Sequence, residues 1–578
     1  MLLSSVLKAL VRRPRRPDAL LPAAHSDRIQ EAVTARESGD VNRALDILRG
    51  ILSQHPDEPY AHYFAGVWHA QDGHLEQALR HLERAARSMP DEPDVQLALG
   101  NVYRATGDRQ HAETAYRAAI DLAPNTAAGY YNLALLLKAI GNHGEALLYL
   151  ERACDLPPYI EDAWRERITA LVALGRYADA IAAGRVAVAR DSHHGAFWSC
   201  LGYAHQKAHE PRAALECYER AKALGVRDHD VSSNVAIVYQ DLGRMGEAVR
   251  AYEEAIAAKP DHVLAKFHLA LARLSLRQYE QGWDDYELRL LSEESVIRID
   301  PQREWHGQPL AGRSIVVIGE QGLGDEIMFA SCFDEVIAAA SRCVVTCSPR
   351  LERLFQRSFP AAEVLAVGPE STVAVRDVDY QVAAGSLPKY LRRSVAAFPR
   401  HSGYLKADPA RVERWRNRLA ALGPGLKVGI SWRGGTHKTR APLRTLPLAE
   451  WRPIFDVPDI HFVSLQYGSV QEDLQSASNR IVHWQEAIDD YDETAALVCA
   501  LDLVVSVCTA VIHLAGALGQ QVWIMAPLSP EWRYAAAGDR MDWYPSSRMF
   551  RQNEFGNWLP VVETVVRELA AAAASVQR

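Results

Sequence analysis

Asp325 is the sharpest candidate for acid–base chemistry in the sequence. It lies in GEQGLGDEIMF (residues 319–329), between an apolar run that predicts a strand and a helical pattern. Gly322 and Gly324 would let the backbone approach a ligand closely, and the start of a helix favours negative charge. A carboxylate there could accept a proton from a hydroxyl group. The simpler alternative is that Asp325 only caps the helix.

A cluster of cationic side chains follows a second predicted strand. The segment SWRGGTHKTRAPLRTLPL (431–448) carries Arg433, Lys438 and Arg444. Such groups at the carboxyl end of a strand suit a phosphate or diphosphate leaving group. An exposed basic loop without a ligand is the alternative.

Two later segments add candidates for binding a ligand that carries phosphate, a base or a sugar. SVCTAVIHLAGALG (506–519) predicts a strand and then a helix that begins near Thr509, whose free amides could bind phosphate oxygens. His513 lies one turn into that helix, where a packing role is the commoner one. Glu531, Trp532 and Arg533 could hold a base and a sugar, but core packing explains an aromatic residue equally well.

The elements that position these residues alternate between short apolar runs and helical patterns after residue 314. This alternation predicts parallel sheets with helices on both faces. Two series of strands indicate two nucleotide-binding-like lobes, over residues 311–408 and 409–578. Because ligands in such folds lie beyond the carboxyl ends of the strands, we expect the site in the cleft between the lobes.

A repeat with a period of 34 residues organises the first half of the chain. It predicts helical hairpins, in which a glycine ends the first helix and an alanine five residues later allows the two helices to cross closely. We count seven repeats over residues 25–262. A degenerate eighth repeat and a linker occupy residues 263–310, with Arg277 and Gly282 in place of the usual residues. The predicted fold is therefore an all-α superhelix of tetratricopeptide repeats followed by two α/β lobes.

The concave groove of such an array predicts binding of a peptide or protein. Asn132 and Asn234 lie at positions that line the groove in this pattern. The alternative is that the array only spaces or dimerises the second half.

Bulk properties exclude several classes of protein. The net charge of −8 gives no reason to expect nucleic acid as a partner, and the eight cysteines form no CxxC pair, so we expect reduced thiols and no metal site. No run of about 18 apolar residues predicts a membrane span. Residues 1–24 read as a flexible basic tail without the order of a secretory signal, so we expect a cytoplasmic protein.

Taken together, the segments GEQGLGDEIMF, SWRGGTHKTRAPLRTLPL, FVSLQYG, SVCTAVIHLAGALG and PEWRY resemble bacterial tetratricopeptide-repeat glycosyltransferases. Their catalytic half is similar to the two-lobed GT-B fold of heptosyltransferases. The resemblance implies inverting, metal-independent transfer from a nucleotide sugar, without a cofactor. It implies that Asp325 is the base and that Arg433, Arg444 and the Thr509–His513 helix start bind phosphate. Many relatives have aspartate where this chain has Cys508, so the donor sugar is expected to differ.

Within that group the sequence looks most like enzymes whose repeats bind flagellin. The resemblance implies transfer of a nonulosonic acid, such as pseudaminic acid, from its CMP-linked form to serine or threonine. Two alternatives stay open. One is transfer to a lipid or polysaccharide, and the other is a binding scaffold whose second half has lost activity.

Overall fold

The computed structural model describes residues 26–291, 297–368, 377–435, 441–476 and 480–576. The predicted basic tail and Lys438 lie outside these residues. The chain divides into two compact units, Met1–Val226 and Arg227–Arg578.

Helical hairpins make up residues 26–286, as the repeat pattern predicted. They are α1 (Ser26–Glu37), α2 (Val41–Gln54), α3 (Pro59–Gln71), α4 (Leu75–Ser88), α5 (Pro93–Thr106), α6 (Arg109–Leu122), α7 (Ala127–Ala139), α8 (His143–Asp155), α9 (Glu161–Ala173), α10 (Tyr177–Arg190), α11 (Gly195–Lys207), α12 (Pro211–Ala223), α13 (His229–Asp241), α14 (Met245–Ala258), α15 (Val263–Ser275) and α16 (Tyr279–Tyr286). A 3₁₀ turn, Glu287–Leu291, follows α16.

Left-handed residues end the first helix of each hairpin, as predicted. The glycines of the repeat have positive φ angles, from 71° at Gly175 to 89° at Gly39. His209 and Arg277 stand at the same position and adopt φ of 60° without being glycine. A side chain disfavours this conformation by about 1 kcal/mol. At Arg277 an ion pair accompanies this cost, since its Nε lies 2.8 Å from Oδ2 of Asp542 in the C-terminal region.

Small residues occur where the paired helices cross. The seven alanines in phase are fully buried: Ala44, Ala78, Ala112, Ala146, Ala180, Ala214 and Ala248. In the eighth hairpin Gly282 takes this place, and a Cβ there would lie 2.7 Å from Cδ2 of Leu274. The departures that made this repeat look degenerate therefore have local packing and pairing reasons.

A group of histidines lies where the two helices of the second hairpin meet. Nε2 of His62 donates to the carbonyl of Pro56 at 2.8 Å, so Nδ1 of His62 accepts from Nδ1 of His81, also at 2.8 Å. The ring of His69 stacks on that of His81. Burial, and then the nearness of His62 and His69, lowers the pKa of His81 from 6.5 to about 4.

The neutral His81 makes the stability of the N-terminal repeats depend on pH. Between pH 6.5 and 4 the unfolded chain binds a proton that the folded chain does not, so stability is complete above pH 6.5 and falls with pH through this window. The ring is partly exposed and solvent screening weakens the effect, so we expect a loss of about 1 kcal/mol by pH 4.5. Thermal unfolding at pH 7 and pH 4.5 should show a smaller acid shift for His81→Gln than for the parent. His111→Gln, at an exposed ring, should keep the parental shift.

The first sheet has four parallel strands in the order β3-β2-β1-β4: β1 (Ser314–Ile318), β2 (Arg342–Cys347), β3 (Glu363–Ala366) and β4 (Tyr380–Ala383). The central strand β1 is buried along its middle, since it has neighbours on both sides. The helices that accompany this sheet are α17 (Leu323–Phe329), α18 (Phe333–Ala339), α19 (Glu352–Ser358) and α20 (Leu387–Leu391). Helix α21 (Pro409–Ala420) follows and packs against a helix of the second sheet's region, where Trp415 Nε1 donates to Glu493 at 2.8 Å.

The second sheet has six parallel strands in the order β10-β9-β8-β5-β6-β7: β5 (Leu426–Ser431), β6 (Ile460–Ser464), β7 (Ile481–Val482), β8 (Leu503–Val507), β9 (Val522–Ala526) and β10 (Ser547–Arg551). Its helices are α22 (Arg452–Phe455), α23 (Gln471–Ser476), α24 (Gln485–Asp489), α25 (Tyr491–Ala500), α26 (Ala510–Ala517) and α27 (Leu559–Val576). Parallel sheets after the repeats are thus confirmed. None of the helices within the described ranges is long and apolar enough to cross a membrane.

Candidate functional site

The turn that follows β1 brings Asp325 to the carboxyl end of the first sheet. Helix α17 begins after Gly322, which is its N-cap and offers no side chain. Asp325 is therefore not the N-cap residue, but it lies in the first turn, where its carboxylate accepts from the amide of Gly322 and so contributes to capping. Its Oδ1 also lies 2.5 Å from Nη2 of Arg533, which comes from the second sheet's region.

Close packing accounts for one of the two glycines in this turn. A Cβ on Gly324 would lie 3.0 Å from Cδ2 of His513 and 3.5 Å from Cα of Ala510, both on α26. The small residue thus lets α17 approach the helix of the other sheet. Gly322 is exposed, so its predicted approach to a donor stays a prediction.

A chain of four alternating charges joins the two sheets at this point. Asp325 pairs with Arg533, Arg533 pairs through Nη1 with Glu531, and Oε1 of Glu531 lies 2.6 Å from Nη1 of Arg444. We call these four residues the charged chain. Their side chains are between 9% and 25% exposed, so the charges are partly shielded from water and interact strongly.

Burial and pairing act in opposite directions on the members of the charged chain. Burial raises the pKa of Asp325, and the Arg533 guanidinium opposes this rise. For Arg533, burial lowers the pKa, but the carboxylates of Asp325 and Glu531 more than offset it, so the group stays cationic. A carboxyl with a raised pKa beside fixed cations is a combination typical of functional sites.

The start of α26 lies next to the basic loop, as the sequence predicted for a phosphate site. Thr509 is the N-cap of α26, and its Oγ1 accepts from the amide of Val511 at 3.2 Å. A Cβ on Gly434, in the basic loop, would lie 2.5 Å from the carbonyl oxygen of Cys508 and 2.8 Å from Cγ2 of Thr509. Loop and helix start are therefore in direct contact.

Of the three predicted phosphate ligands in the basic loop, Arg444 is the one joined to the charged chain. Arg433 points elsewhere in this conformation, because Nη2 lies 2.9 Å from Oδ2 of Asp473 and also donates to the carbonyl of Ser469. Lys438 lies in the part of the loop that the structure does not describe.

His513 is a packed histidine rather than a cationic ligand. Nδ1 lies 3.0 Å from the hydroxyl of Tyr544, and the ring is buried. Burial lowers the pKa of His513 well below its ordinary value, and the nearby Arg533 lowers it further. A neutral ring adds no charge for a phosphate, so the packing role weighed in the sequence accounts for its position.

Trp532 is enclosed by other aromatic rings. Its ring centroid lies 5.4 Å from those of Trp283 and Tyr286 and 6.3 Å from that of Trp543, and the residue is 8% exposed. Core packing accounts for this position, and stacking on a donor base would require the cluster to open. Glu531 and Arg533, the other two residues predicted for base or sugar, face each other in the charged chain.

Cys508, the position at which the sequence resemblance leads one to expect aspartate, is fully buried. Burial raises the pKa of its thiol to about 12, so the group is neutral. It neither replaces the charge of an aspartate nor offers a strong hydrogen-bond acceptor.

The two asparagines predicted for the acceptor groove lie in different units. Asn132, on α7, is 4% exposed, and its Oδ1 has no hydrogen-bond partner among the described residues. Asn234, on α13, is half-buried. Their proposed contact with a partner stays a prediction.

Several residues that shape the site carried no recognisable signal in the sequence. Gln466 holds the start of the basic loop, because Oε1 accepts from the amides of Trp432 and Arg433 at 3.0 and 2.9 Å. Glu326, next to Asp325, accepts from the amide of Ser348 at 2.8 Å, and burial raises its pKa to about 7. Such roles arise from contacts between strands that are distant in sequence.

Side chains of the segment that follows α16, in the region of the eighth repeat, bind the turn before α17. Arg289 forms a bidentate pair with Glu320, with nitrogen–oxygen distances of 3.0 and 2.6 Å, and both side chains are almost fully buried. Glu320 also accepts from the amide of Gly385 at 2.7 Å, after β4. Next to Glu320, Gln321 adopts φ of 67°, and its Nε2 donates to the Tyr286 hydroxyl at 3.0 Å.

Among the described residues, one group of acidic and histidine side chains is close enough to share a metal ion: Asp228, His229 and Asp230. Asp228 is the N-cap of α13, and its Oδ1 accepts from the amide of Asp230 at 2.6 Å. Helix capping therefore explains this group.

Comparison with known proteins identifies both the repeats and a relative that matches most of the chain. Two models described as tetratricopeptide repeat match, one at residues 35–102 and the other at 97–159 and 235–302. Protein FlbA of Caulobacter vibrioides is 31% identical over 435 residues, which cover 70% of this chain and 72% of FlbA. The chain belongs to the FlbA family.

The solved structures that resemble this FlbA-family protein match part of the chain. A tetratricopeptide repeat protein of Parabacteroides merdae is 13% identical, covers 43% of this chain and 99% of its own, and has a TM-score of 0.36. The pilF protein of Pseudomonas aeruginosa is 17% identical, covers 37% of this chain and 96% of its own, and has a TM-score of 0.32.

The degenerate eighth repeat of this FlbA-family protein is also matched as a tetratricopeptide repeat, because the last matched range extends to residue 302. The repeats are typical of protein–protein interaction.

Proposed function

We propose that this protein is an inverting, metal-independent glycosyltransferase of GT-B type that modifies a protein bound by its repeats. The observation that carries the proposal is the charged chain. It sets the Asp325 carboxylate at the carboxyl end of one parallel sheet against Arg533 and Arg444 from the region of another. Crevices at the carboxyl ends of parallel strands are where such folds bind ligands.

The proposed reaction needs one base and a positive environment for the leaving group. The hydroxyl oxygen of an acceptor serine or threonine attacks the anomeric carbon of the sugar from the face opposite the phosphate. The new C–O bond forms as the bond to the phosphate oxygen breaks, and the electron pair leaves with the phosphate. Asp325 takes the hydroxyl proton, while Arg444, Arg533 and the α26 amides stabilise the developing negative charge.

Residues of this chain support the two halves of this chemistry separately. The raised pKa of Asp325 makes it a stronger base than an exposed carboxylate once it is ionised. Thr509 fixes the first turn of α26, and the remaining free amides there are suited to phosphate oxygens. The donor we favour is a CMP-linked nonulosonic acid such as pseudaminic acid, and the acceptor we favour is flagellin.

Intact-mass measurement of candidate acceptors tests the proposal. Flagellin co-expressed with the full-length chain and the enzymes that supply a CMP-linked nonulosonic acid should gain one or more sugar masses, and none without this chain. Purified protein incubated with CMP-, ADP- and UDP-sugars should consume one donor class. Transfer to lipid or polysaccharide with unmodified flagellin would favour the second candidate acceptor. Absence of donor turnover in every combination would contradict the enzymatic proposal and leave a binding scaffold.

A further inference from the structure

Two residues with different proposed tasks are bound to each other in the structure. Asp325 is the proposed base, and Arg533 is proposed to hold the donor, yet their side chains form one ion pair at 2.5 Å. The guanidinium occupies Oδ1 and lowers the pKa of Asp325 against the effect of burial, so the carboxylate is a weaker base than it would be without this partner. Release of Arg533 would therefore make Asp325 a stronger base and free its oxygen for a hydroxyl group.

Glu531 occupies the guanidinium groups that a phosphate would use. One oxygen of its carboxylate meets Nη1 of Arg533 and the other meets Nη1 of Arg444. Carboxylates and phosphates present oxygens to arginine in the same planar, charge-assisted manner. Glu531 thus stands where an anionic ligand would bridge the two arginines.

A dianionic ligand at both arginines would take the places that two carboxylates occupy in the charged chain. The charged chain contains two carboxylates and two guanidinium groups and is neutral as it stands. Asp325 and Glu531 are 16% and 25% exposed while paired, so each carboxylate can turn toward water or an incoming hydroxyl when a dianionic ligand binds both arginines. The exchange replaces three ion pairs by contacts of the ligand with the two arginines, and it leaves two carboxylates to be solvated.

We infer that the charged chain is a latch released by a phosphate or diphosphate ligand. The ligand displaces Glu531 and Asp325 from Arg444 and Arg533, and Asp325 becomes free to accept a proton only when the ligand is bound. This inference deepens the proposed function. The role of Asp325 as a base rests on that function, whereas the competition between the carboxylates and the ligand for the two arginines is independent of it.

Competition predicts that removing a carboxylate charge tightens anion binding. Isothermal titration of the full chain with inorganic pyrophosphate should show about tenfold tighter binding for Glu531→Gln and a severalfold gain for Asp325→Asn. Arg533→Gln should bind about tenfold more weakly than the parent. Circular dichroism melts identify any variant that has not folded.

Glu568→Gln is the matched control for Glu531→Gln. It also removes one negative charge from the second sheet's region, but at the surface pair of Glu568 with Arg548. Its affinity for pyrophosphate should stay within about twofold of the parent, since an exposed charge at a distance is screened by salt. The latch is contradicted if the Glu531 and Asp325 variants bind no tighter than this control, if Arg533→Gln keeps parental affinity, or if no variant binds millimolar pyrophosphate.

Transfer assays separate this inference from the proposed function. If the affinities change as expected and no sugar is transferred, the anion latch stands and the glycosyltransferase proposal fails. If sugar is transferred while the affinities do not respond to Glu531 or Asp325, the latch is wrong and the function stands.

Discussion

Asp325→Asn should lower the rate of sugar transfer by about 1000-fold. An amide of the same shape cannot accept the hydroxyl proton, and a positioned general base contributes about 100- to 10,000-fold. The variant keeps a carbonyl oxygen that can still accept from Arg533, so the contact between the two sheets is weakened rather than lost. Single-turnover transfer at saturating donor, followed by intact mass of the acceptor, measures the effect on the chemical step.

Asp334→Asn provides the comparison for that variant. Asp334 is an exposed carboxylate on α18 in the same lobe, outside the charged chain, and its loss should leave transfer within about twofold of the parent. Binding of the acceptor, measured by pull-down with the full-length chain, should be the same for both variants and the parent. Transfer by Asp325→Asn at the parental rate would rule out this residue as the base.

Arg289→Met should lower the free energy of unfolding of the C-terminal unit by about 3 to 5 kcal/mol. The substitution leaves Glu320 as a buried carboxylate without its cation, and breaking a buried pair by removing one partner has this magnitude. Because Glu320 immediately precedes the left-handed Gln321, the turn that carries Asp325 should also loosen. Urea unfolding followed by tryptophan fluorescence reports the first effect, and hydrogen exchange of residues 319–326 reports the second.

Two further variants show whether the effect belongs to the buried pair. Arg289→Met combined with Glu320→Gln should be more stable than Arg289→Met alone, because the amide removes the buried charge and still accepts from Gly385. Arg273→Met breaks a more exposed pair with Glu253 and should cost at most about 1 kcal/mol. Equal losses for Arg273→Met and Arg289→Met would show that burial adds nothing to this pair.

The repeats could be predicted in detail because their signals are local. Gly39 meets the requirement of its own turn for a positive φ angle, and Ala44 meets the requirement of its own helix crossing for a small residue. The spacing of such residues along the chain is therefore enough to predict the hairpins. The strands could be predicted for a similar reason, since parallel strands buried on both faces form short apolar runs. The order of the strands in each sheet could not be predicted, because the apolar pattern is the same whichever strands are neighbours.

The candidate site was predictable in part. The sequence placed Asp325, Arg444 and Thr509 at the carboxyl ends of strands, which the structure shows. It did not show that Arg533 and Glu531 join Asp325 to Arg444, because these contacts span up to 208 positions. The sequence also did not decide whether Trp532 and His513 bind a ligand or pack in the core, because that depends on neighbours from distant segments.

The sequence by itself determined the helical repeats, the change to parallel sheets and the residue types able to do acid–base and phosphate chemistry. Each of these depends on interactions within a few turns or on the burial of a single strand. Only the tertiary structure decided which of those residues meet. Ion pairs such as Asp325–Arg533 and Arg289–Glu320 form between segments that the fold brings together, and their strength comes from the exclusion of water there.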